Sequence, residues 1–236
     1  MKAMILAAGL GTRLRPLTDN KPKALVAVAG MPLLLHSINK LKAAGVDSII
    51  VNVHHFAEQL IDYVNNHDFG VPVTISDESG HLLETGGGLK KAEAFFNDGK
   101  SFLLCNVDVL SGTDLKKVIE SHAASNALVT LVVKARQTAR YFLFDRNLQL
   151  CGWKNTKIGE VKTAREATFY YPYAFSGIQV VRSEIFPFIT EQGKFSLTEV
   201  YLRLAANHEI RAYVDDAWWF DLGKFEDIES IEEYLK

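Results

Sequence analysis

The chain has 236 residues, 48% of them hydrophobic and 23% charged, the make-up of a globular protein with a substantial core. Its net charge of −2 gives no general attraction to nucleic acid or to an anionic membrane, so a cluster of cations in it has a local purpose. Near the N-terminus the apolar run Ala3 to Ala8 passes at once into glycine and arginine. It is therefore read as neither a signal peptide nor a spanning helix, and a cytoplasmic protein is expected. Cys105 and Cys151 lack metal-ligand spacing, and Cys105, within an apolar run, reads as an inert buried thiol.

Ala3 to Ala8 has strand length, and Gly9 and Gly11 end it by letting the backbone turn where a Cβ would clash. From Gly9 to Lys23 the loop carries Arg13, Arg15, Lys21 and Lys23, with Asp19 as its only acid. Glycine-rich amides ringed by cations make a seat for a phosphate. The spelling excludes a P-loop, since no Gly-Lys-Ser/Thr end follows, and a dinucleotide fingerprint, since Leu14 stands where a third glycine is needed. A lone Gly-x-Gly is equally compatible with a surface turn carrying solvated cations.

Pro32 to Ala44 has helical spacing and ends at Gly45, a natural C-terminal cap. The β-branched run Asp47 to His55 follows, and strand, helix and strand at such short spacing imply a parallel sheet with right-handed crossovers. His54 and His55 read as surface or packing residues. Ala57 to Asn65 is a second amphipathic helix and Val71 to Ser76 another strand. Gly86, Gly87 and Gly88 then precede a helical pattern and would present bare backbone at its N-terminus, or form a flexible hairpin loop. Ser101 to Val109 is a buried strand that brings Asp108 to the carboxyl edge of the sheet, where open α/β sheets bind ligands; otherwise Asp108 starts a turn.

Asp114 to His122 reads as a helix, Ala127 to Lys134 as a strand, and the segments around Asp145-Arg146-Asn147 as a hairpin. The polar, aperiodic stretch from Thr156 to Thr168 reads as a mobile loop. Tyr171 to Arg182 is a strand containing Ser176-Gly177, and a glycine there marks the close approach of a ligand or another backbone. Asn207 to Val214 is the last strand predicted; Trp218 and Trp219 beyond it read as core, and Phe225 to Leu235 as a closing helix. The fold class expected is α/β: one doubly wound, Rossmann-like domain over residues 1–236, with a mixed, mostly parallel sheet and helices on both faces.

The string from Leu6 to Gly30, LAAGLGTRLRPLTDNKPKALVAVAG, resembles the N-terminal signature of the sugar-1-phosphate nucleotidyltransferases. Four later segments match that family as well: Leu83 to Gly88, Asn106-Val107-Asp108, Ser176-Gly177 and Trp219-Phe220-Asp221-Leu222-Gly223. The resemblance implies a reaction of a nucleoside triphosphate with a sugar 1-phosphate, giving a nucleotide sugar and pyrophosphate. It implies that Leu6, Ala7, Ala8, Gly9, Gly11, Thr12, Arg13 and Lys23 hold the nucleotide, with Glu78, Glu84, Thr85 and Gly86 about its base. Asp108 and Asp221 become the ligands of Mg2+, with Arg13, Lys23 and Asp108 as the catalytic set. Asn106, Tyr141, Phe142, Glu160, Ser176 and Gly177 fall at the sugar, Phe142 standing where relatives have glycine; Lys154 is a lesser candidate there.

Leu-Glu-Thr-Gly-Gly-Gly in a chain this compact resembles the N-acetylmuramic acid 1-phosphate uridylyltransferases, whereas guanylyltransferase relatives more often show Leu-Gly-Thr. UTP is therefore expected, with GTP and a mannose or heptose 1-phosphate as the alternative. A glutamate in place of glycine narrows the pocket toward a pyrimidine, and Glu78 or Glu84 can accept from the uracil N3–H, though equally from guanine. A catalytically silent nucleotide-sugar sensor is the reading from another class; it would be favoured by loss of the loop cations or of either aspartate, and all are present. Neither nucleic acid nor membrane is expected as a partner, nor is a β-helix extension, and a monomer or small homo-oligomer is expected.

Overall fold

The computed structural model describes residues 1–223 and 225–234, without the side chains of Phe225 and Glu226. The first strands are β1 (Lys2–Leu6), β2 (Ala27–Val28), β3 (Met31–Pro32), β4 (Ser48–Val53), β5 (Val73–Asp77), β6 (Phe102–Asn106) and β7 (Val109–Ser111). They are followed by β8 (Val129–Lys134), β9 (Arg140–Phe144), β10 (Leu150–Asn155), β11 (Glu160–Thr163), β12 (Tyr171–Val181), β13 (Ile210–Val214) and β14 (Trp219–Asp221). The helices are α1 (Leu33–Ala43), α2 (Ala57–Asn65), α3 (Glu84–Lys91), α4 (Leu115–Ala123), α5 (Leu197–Leu204) and α6 (Phe225–Tyr234).

One half of the main sheet is parallel, in the order β5-β4-β1-β6, with Met4 opposite Ile50 on one side and Leu104 on the other. On its other side β6 meets β12 antiparallel, Ile178 facing Cys105; β8 pairs with β12, and β13 runs parallel to β8. The N-terminal end of β12 leaves this plane to pair with β9, which continues through β10 to β11 as an antiparallel ribbon.

Strand alternation sends neighbouring side chains to opposite faces, and each face builds its own core. Ala3, Ile5, Ile49, Val51, Leu103 and Cys105 pack toward α1, α2, α4 and α6. Met4, Ile50, Phe102, Leu104, Val129 and Leu131 pack with Leu89 of α3 and with Leu197, Val200, Tyr201 and Leu204 of α5. Helices thus cover both faces, as the doubly wound reading expects. None of the helices among the described residues is long and apolar enough to cross a membrane.

Three local expectations change. The stretch Thr156 to Thr168 contains β11, whose Val161 and Glu160 stand opposite Lys154 and Asn155; its polarity reflects an exposed ribbon, not the lack of a strand. The three glycines lie inside α3 instead of ahead of it. Helix α5 was not anticipated, although Ser196-x-x-Glu199 spells a capping box and the Ser196 hydroxyl accepts from the Thr198 amide at 3.2 Å. Leu235, the expected end of the last helix, lies outside the described residues.

Candidate active site

A cleft of about 340 Å³ opens beyond the carboxyl ends of β1, β4 and β6. It is lined by Leu6, Ala7, Ala8 and Gly9 after β1, Asn52 of β4, Asn106, Val107 and Asp108 at the end of β6, Leu82, Glu84, Thr85 and Ser196 on one wall, and Lys23 on another.

Asn52 ties the floor together. Its Oδ1 accepts from the Ala7 amide at 2.7 Å and its Nδ2 donates to Glu78 Oε1 at 2.8 Å. The other Glu78 oxygen accepts from the Leu83 amide at 3.2 Å, so this carboxylate, 2% exposed, has both oxygens engaged in holding the wall. Glu78 therefore supports the wall at residues 82–85 from behind, and of the two carboxylates expected at a base only Glu84 is among the residues lining the cleft. Asn52 itself was missed; its signal is a lone amide inside the β-branched run Ser48–Val53.

The glycines of α3 serve packing. The Gly86 amide donates to the Phe195 carbonyl at 2.9 Å, and the Thr85 hydroxyl accepts from the Leu197 amide at 3.0 Å, clamping α3 to the start of α5. A Cβ on Gly88 would stand 2.7 Å from Glu78 Oε1. The Gly86 amide is thus already taken, and Gly86 is buried instead of presented to a base. Glu84, by contrast, holds a left-handed φ of +59° at the mouth and pairs with Lys194 at 3.4 Å.

On the far wall Lys23 donates its ammonium to Asp108 Oδ2. The strand carrying Asp221 arrives by pairing β14 antiparallel to β7, which sets Asp221 opposite Val109, and the Leu222 amide donates to the Asp108 carbonyl at 2.8 Å. The β7 strand is anchored from below, where Lys40 Nζ donates to the carbonyl and the hydroxyl of Ser111, each at 2.6 Å, and burial lowers the pKa of that ammonium to about 8. Burial, and next the charge of Asp108, raise the pKa of Asp221, with Lys23 and Arg13 opposing. Its Oδ1 is buried without a hydrogen-bond partner among the described residues. The Arg13 guanidinium lies over Gly223, where an added Cβ would be 3.0 Å from both terminal nitrogens. Arg13, Lys23, Asp108 and Asp221, four residues drawn from the two ends and the middle of the chain, therefore converge at one edge of the cleft.

The remaining candidates are more scattered. The Gly11 carbonyl accepts from the Thr18 hydroxyl at 2.8 Å and from the Leu14 amide at 2.9 Å, so Gly11 shapes the loop, with Thr12 exposed beside it. Gly177 has φ +75° at an irregularity in β12, and a Cβ there would lie 2.7 Å from Val109 Cγ2 and 3.2 Å from Asn106 Nδ2, so a glycine is required. Ser176, next to it, is fully buried. Phe142 packs edge-on to Phe144 and Phe175, its side chain given to the core. Tyr141 is half-buried and accepts from the Thr138 amide at 3.0 Å. Glu160 is exposed on the outermost ribbon strand beside Lys162 at 3.6 Å, and it is not among the residues lining the cleft. Trp219 proves to be more than packing: its indole N–H donates to the Ser176 carbonyl at 2.9 Å, and the Arg136 guanidinium stacks on its ring at 4.0 Å.

A parallel half-sheet with an anion loop after β1, an aspartate after β6 and a second aspartate returned by β14 is the arrangement of a nucleotidyltransferase. The sequence profile of the nucleotidyl transferase family matches residues 2–236, and the chain belongs to that family as a sugar-1-phosphate nucleotidyltransferase. It is 32% identical over 231 residues, 94% of this chain and 91% of the relative, to the N-acetylmuramate alpha-1-phosphate uridylyltransferase of Caulobacter vibrioides. It is 29% identical over 234 residues to the mannose-1-phosphate guanyltransferase of Yarrowia lipolytica, covering 98% of this chain but only 62% of that one. Among solved structures it resembles HddC from Yersinia pseudotuberculosis complexed with GMP-PN, with a TM-score of 0.77, 25% identity and coverage of 100% and 99%.

Proposed function

We propose that this chain transfers a uridylyl group from UTP to the phosphate of N-acetylmuramate 1-phosphate, releasing pyrophosphate. The observation that carries the chemistry is the convergence of Lys23, Asp108, Asp221 and Arg13 at one edge of the cleft. Choice of base and sugar is supported by the likeness to the Caulobacter uridylyltransferase over nearly the whole of both chains and by Glu84 at the mouth of the base wall.

The reaction asks one anion to attack another at the α-phosphorus. Lys23, on the far wall beside Asp108, would neutralise the phosphates that meet there, and Arg13, exposed at the rim, would hold the departing pyrophosphate. The attacking oxygen is already ionised, so no general base is required. Asp108 and Asp221 suit Mg2+: one oxygen of Asp221 is buried without a hydrogen-bond partner among the described residues, and the two carboxylates repel each other in a way a cation would relieve. Among the described residues no three His, Cys, Asp or Glu side chains gather into a cage, which fits an ion that completes its shell with phosphate oxygens and water. When bound it would supply charge neutralisation at the reacting phosphate.

The test is pyrophosphate release with UTP, GTP, CTP and dTTP, each against N-acetylmuramate, glucose, mannose and heptose 1-phosphates. UTP with the muramate substrate is expected to lead in kcat/KM by about tenfold or more, on the order of 1.4 kcal/mol. A preference for GTP with mannose or heptose 1-phosphate would overturn the uridylyl reading.

A further inference from the structure

Five buried side-chain polar atoms among the described residues have no hydrogen-bond partner, and three of them belong to one neighbourhood: Arg136 Nε, Ser176 Oγ and Asp221 Oδ1. Arg136 stacks on Trp219, two residues before Asp221, and its Nη2 donates to the Phe175 carbonyl at 3.1 Å, next to Ser176. Trp219 closes the circuit by donating to the Ser176 carbonyl. Unsatisfied buried groups are few in a folded protein; Asp221 Oδ1 is an acceptor and suits the cation, whereas the Arg136 Nε–H and the Ser176 hydroxyl are donors left for an acceptor.

The charged member of this set decides what the ligand is. A guanidinium offers five N–H groups in a planar fork; here Nη2 serves the Phe175 carbonyl and Nη1 reaches the Gln137 carbonyl at a long 3.5 Å. The indole face fixes its plane, as a bidentate contact demands. Burial works against its charge, while Asp221 and Tyr141 support it. Lys154 adds a second cation, its ammonium 5.3 Å from the Tyr141 ring centre. Lys23 and Arg13 stand with the phosphate and metal residues, whereas Arg136 follows β8 and sits beside Tyr141 and Ser176, the residues expected at the sugar.

We propose that Arg136 reads a carboxylate carried by the sugar, which makes the substrate class aldose 1-phosphates bearing an acidic arm. The inference rests on the sugar-phosphate reading above and gives it a determinant within this chain.

The experiment compares wild type with Arg136→Gln and Arg136→Lys at saturating UTP. Two acceptors are used: N-acetylmuramate 1-phosphate, and N-acetylglucosamine 1-phosphate, which is the same ring without the carboxylate arm. For Arg136→Gln, KM for the acidic acceptor is expected to rise roughly tenfold to a hundredfold with kcat little changed, while kcat/KM for the neutral acceptor stays within about twofold. Arg136→Lys, which keeps the charge and loses the fork, is expected to fall between, and it serves alone should the glutamine variant not fold. Equal losses on both acceptors would overturn the proposal, placing Arg136 on the shared phosphate or in the scaffold, and so would unchanged kinetics on both. A wild-type enzyme that prefers the neutral acceptor would instead remove the reading beneath it, an outcome visible before any variant is made.

Discussion

Lys23 and Asp108 lie 85 residues apart in the chain and are joined by a direct hydrogen bond between side chains that are 9% and 23% exposed. The pair holds the loop after β1 against the end of β6 and makes Lys23 the one cation among the described residues that line the cleft. Lys23→Met is expected to lower kcat by about 10²–10³ while KM for either substrate changes less than tenfold, because the charge is needed most when the phosphates are forced together. A rise in KM alone, with kcat intact, would reduce Lys23 to a docking residue.

Asp221 gives a prediction in which stability and activity move in opposite directions. Burial and then Asp108 raise its pKa, so the folded chain holds the proton more tightly than the unfolded one. The stability of the metal-free protein from this group therefore falls as pH rises through the carboxylate range, and at pH 7 the full penalty is present. Asp221→Asn should raise the Tm of the protein in chelator at pH 7, lower turnover by about 10² or more, and lose much of the thermal stabilisation that added Mg2+ gives wild type. A variant stabilised by Mg2+ as strongly as wild type would take Asp221 out of the metal site.

Glu84 is a non-glycine residue held at φ +59° at the start of α3. That backbone region costs an ordinary residue about 1 kcal/mol, and the exposed ion pair to Lys194 returns little. Glu84→Gly is therefore expected to stabilise the fold by about 1 kcal/mol in denaturant unfolding and to shift the kcat/KM ratio of UTP over GTP toward GTP by about threefold to tenfold. A gain in stability with an unchanged ratio would mean that the glutamate does not face the base.

What could be read from the chain alone follows the range of the interactions involved. Helix α2 lies at Ala57–Asn65 as its periodicity predicts, and α1 ends at Ala43 with the Val46 amide returning to the Leu41 carbonyl at 3.1 Å, as Gly45 foretold. Asp108 was singled out at a strand end and Asp221 within a short motif, and the fold brings the two together where β14 pairs with β7. For Glu78 the chain alone could not show that its carboxylate is engaged by Asn52 and the Leu83 amide, partners that only the folded sheet brings near. The glycines of α3 looked like an exposed anion seat, yet the Phe195 segment that covers them comes from more than a hundred residues downstream. Arg136 carried no signal in its own neighbourhood, and Trp219, read as core within a short motif, gave none of its stacking on Arg136, which joins β14 to the loop after β8.

His122 tests the fold away from the cleft. It is 2% exposed on α4, its Nδ1 at 2.8 Å from the Thr130 hydroxyl and its Nε2 at 3.2 Å from the Ser101 hydroxyl. Burial foremost, and then the charge of Arg182, depress its pKa from 6.5 to about 4, with Glu184 opposing. The unfolded chain therefore binds this proton first: the contribution is fully present above pH 6.5 and is lost as pH falls toward 4. The loss is expected to reach about 2 kcal/mol, and in His122→Gln the stability difference between pH 7 and pH 4.5 should shrink by a comparable amount, while kcat at pH 7 stays near that of wild type. Urea unfolding of both proteins at the two pH values is the measurement. An identical acid loss in the variant would show that the imidazole titrates normally inside the fold.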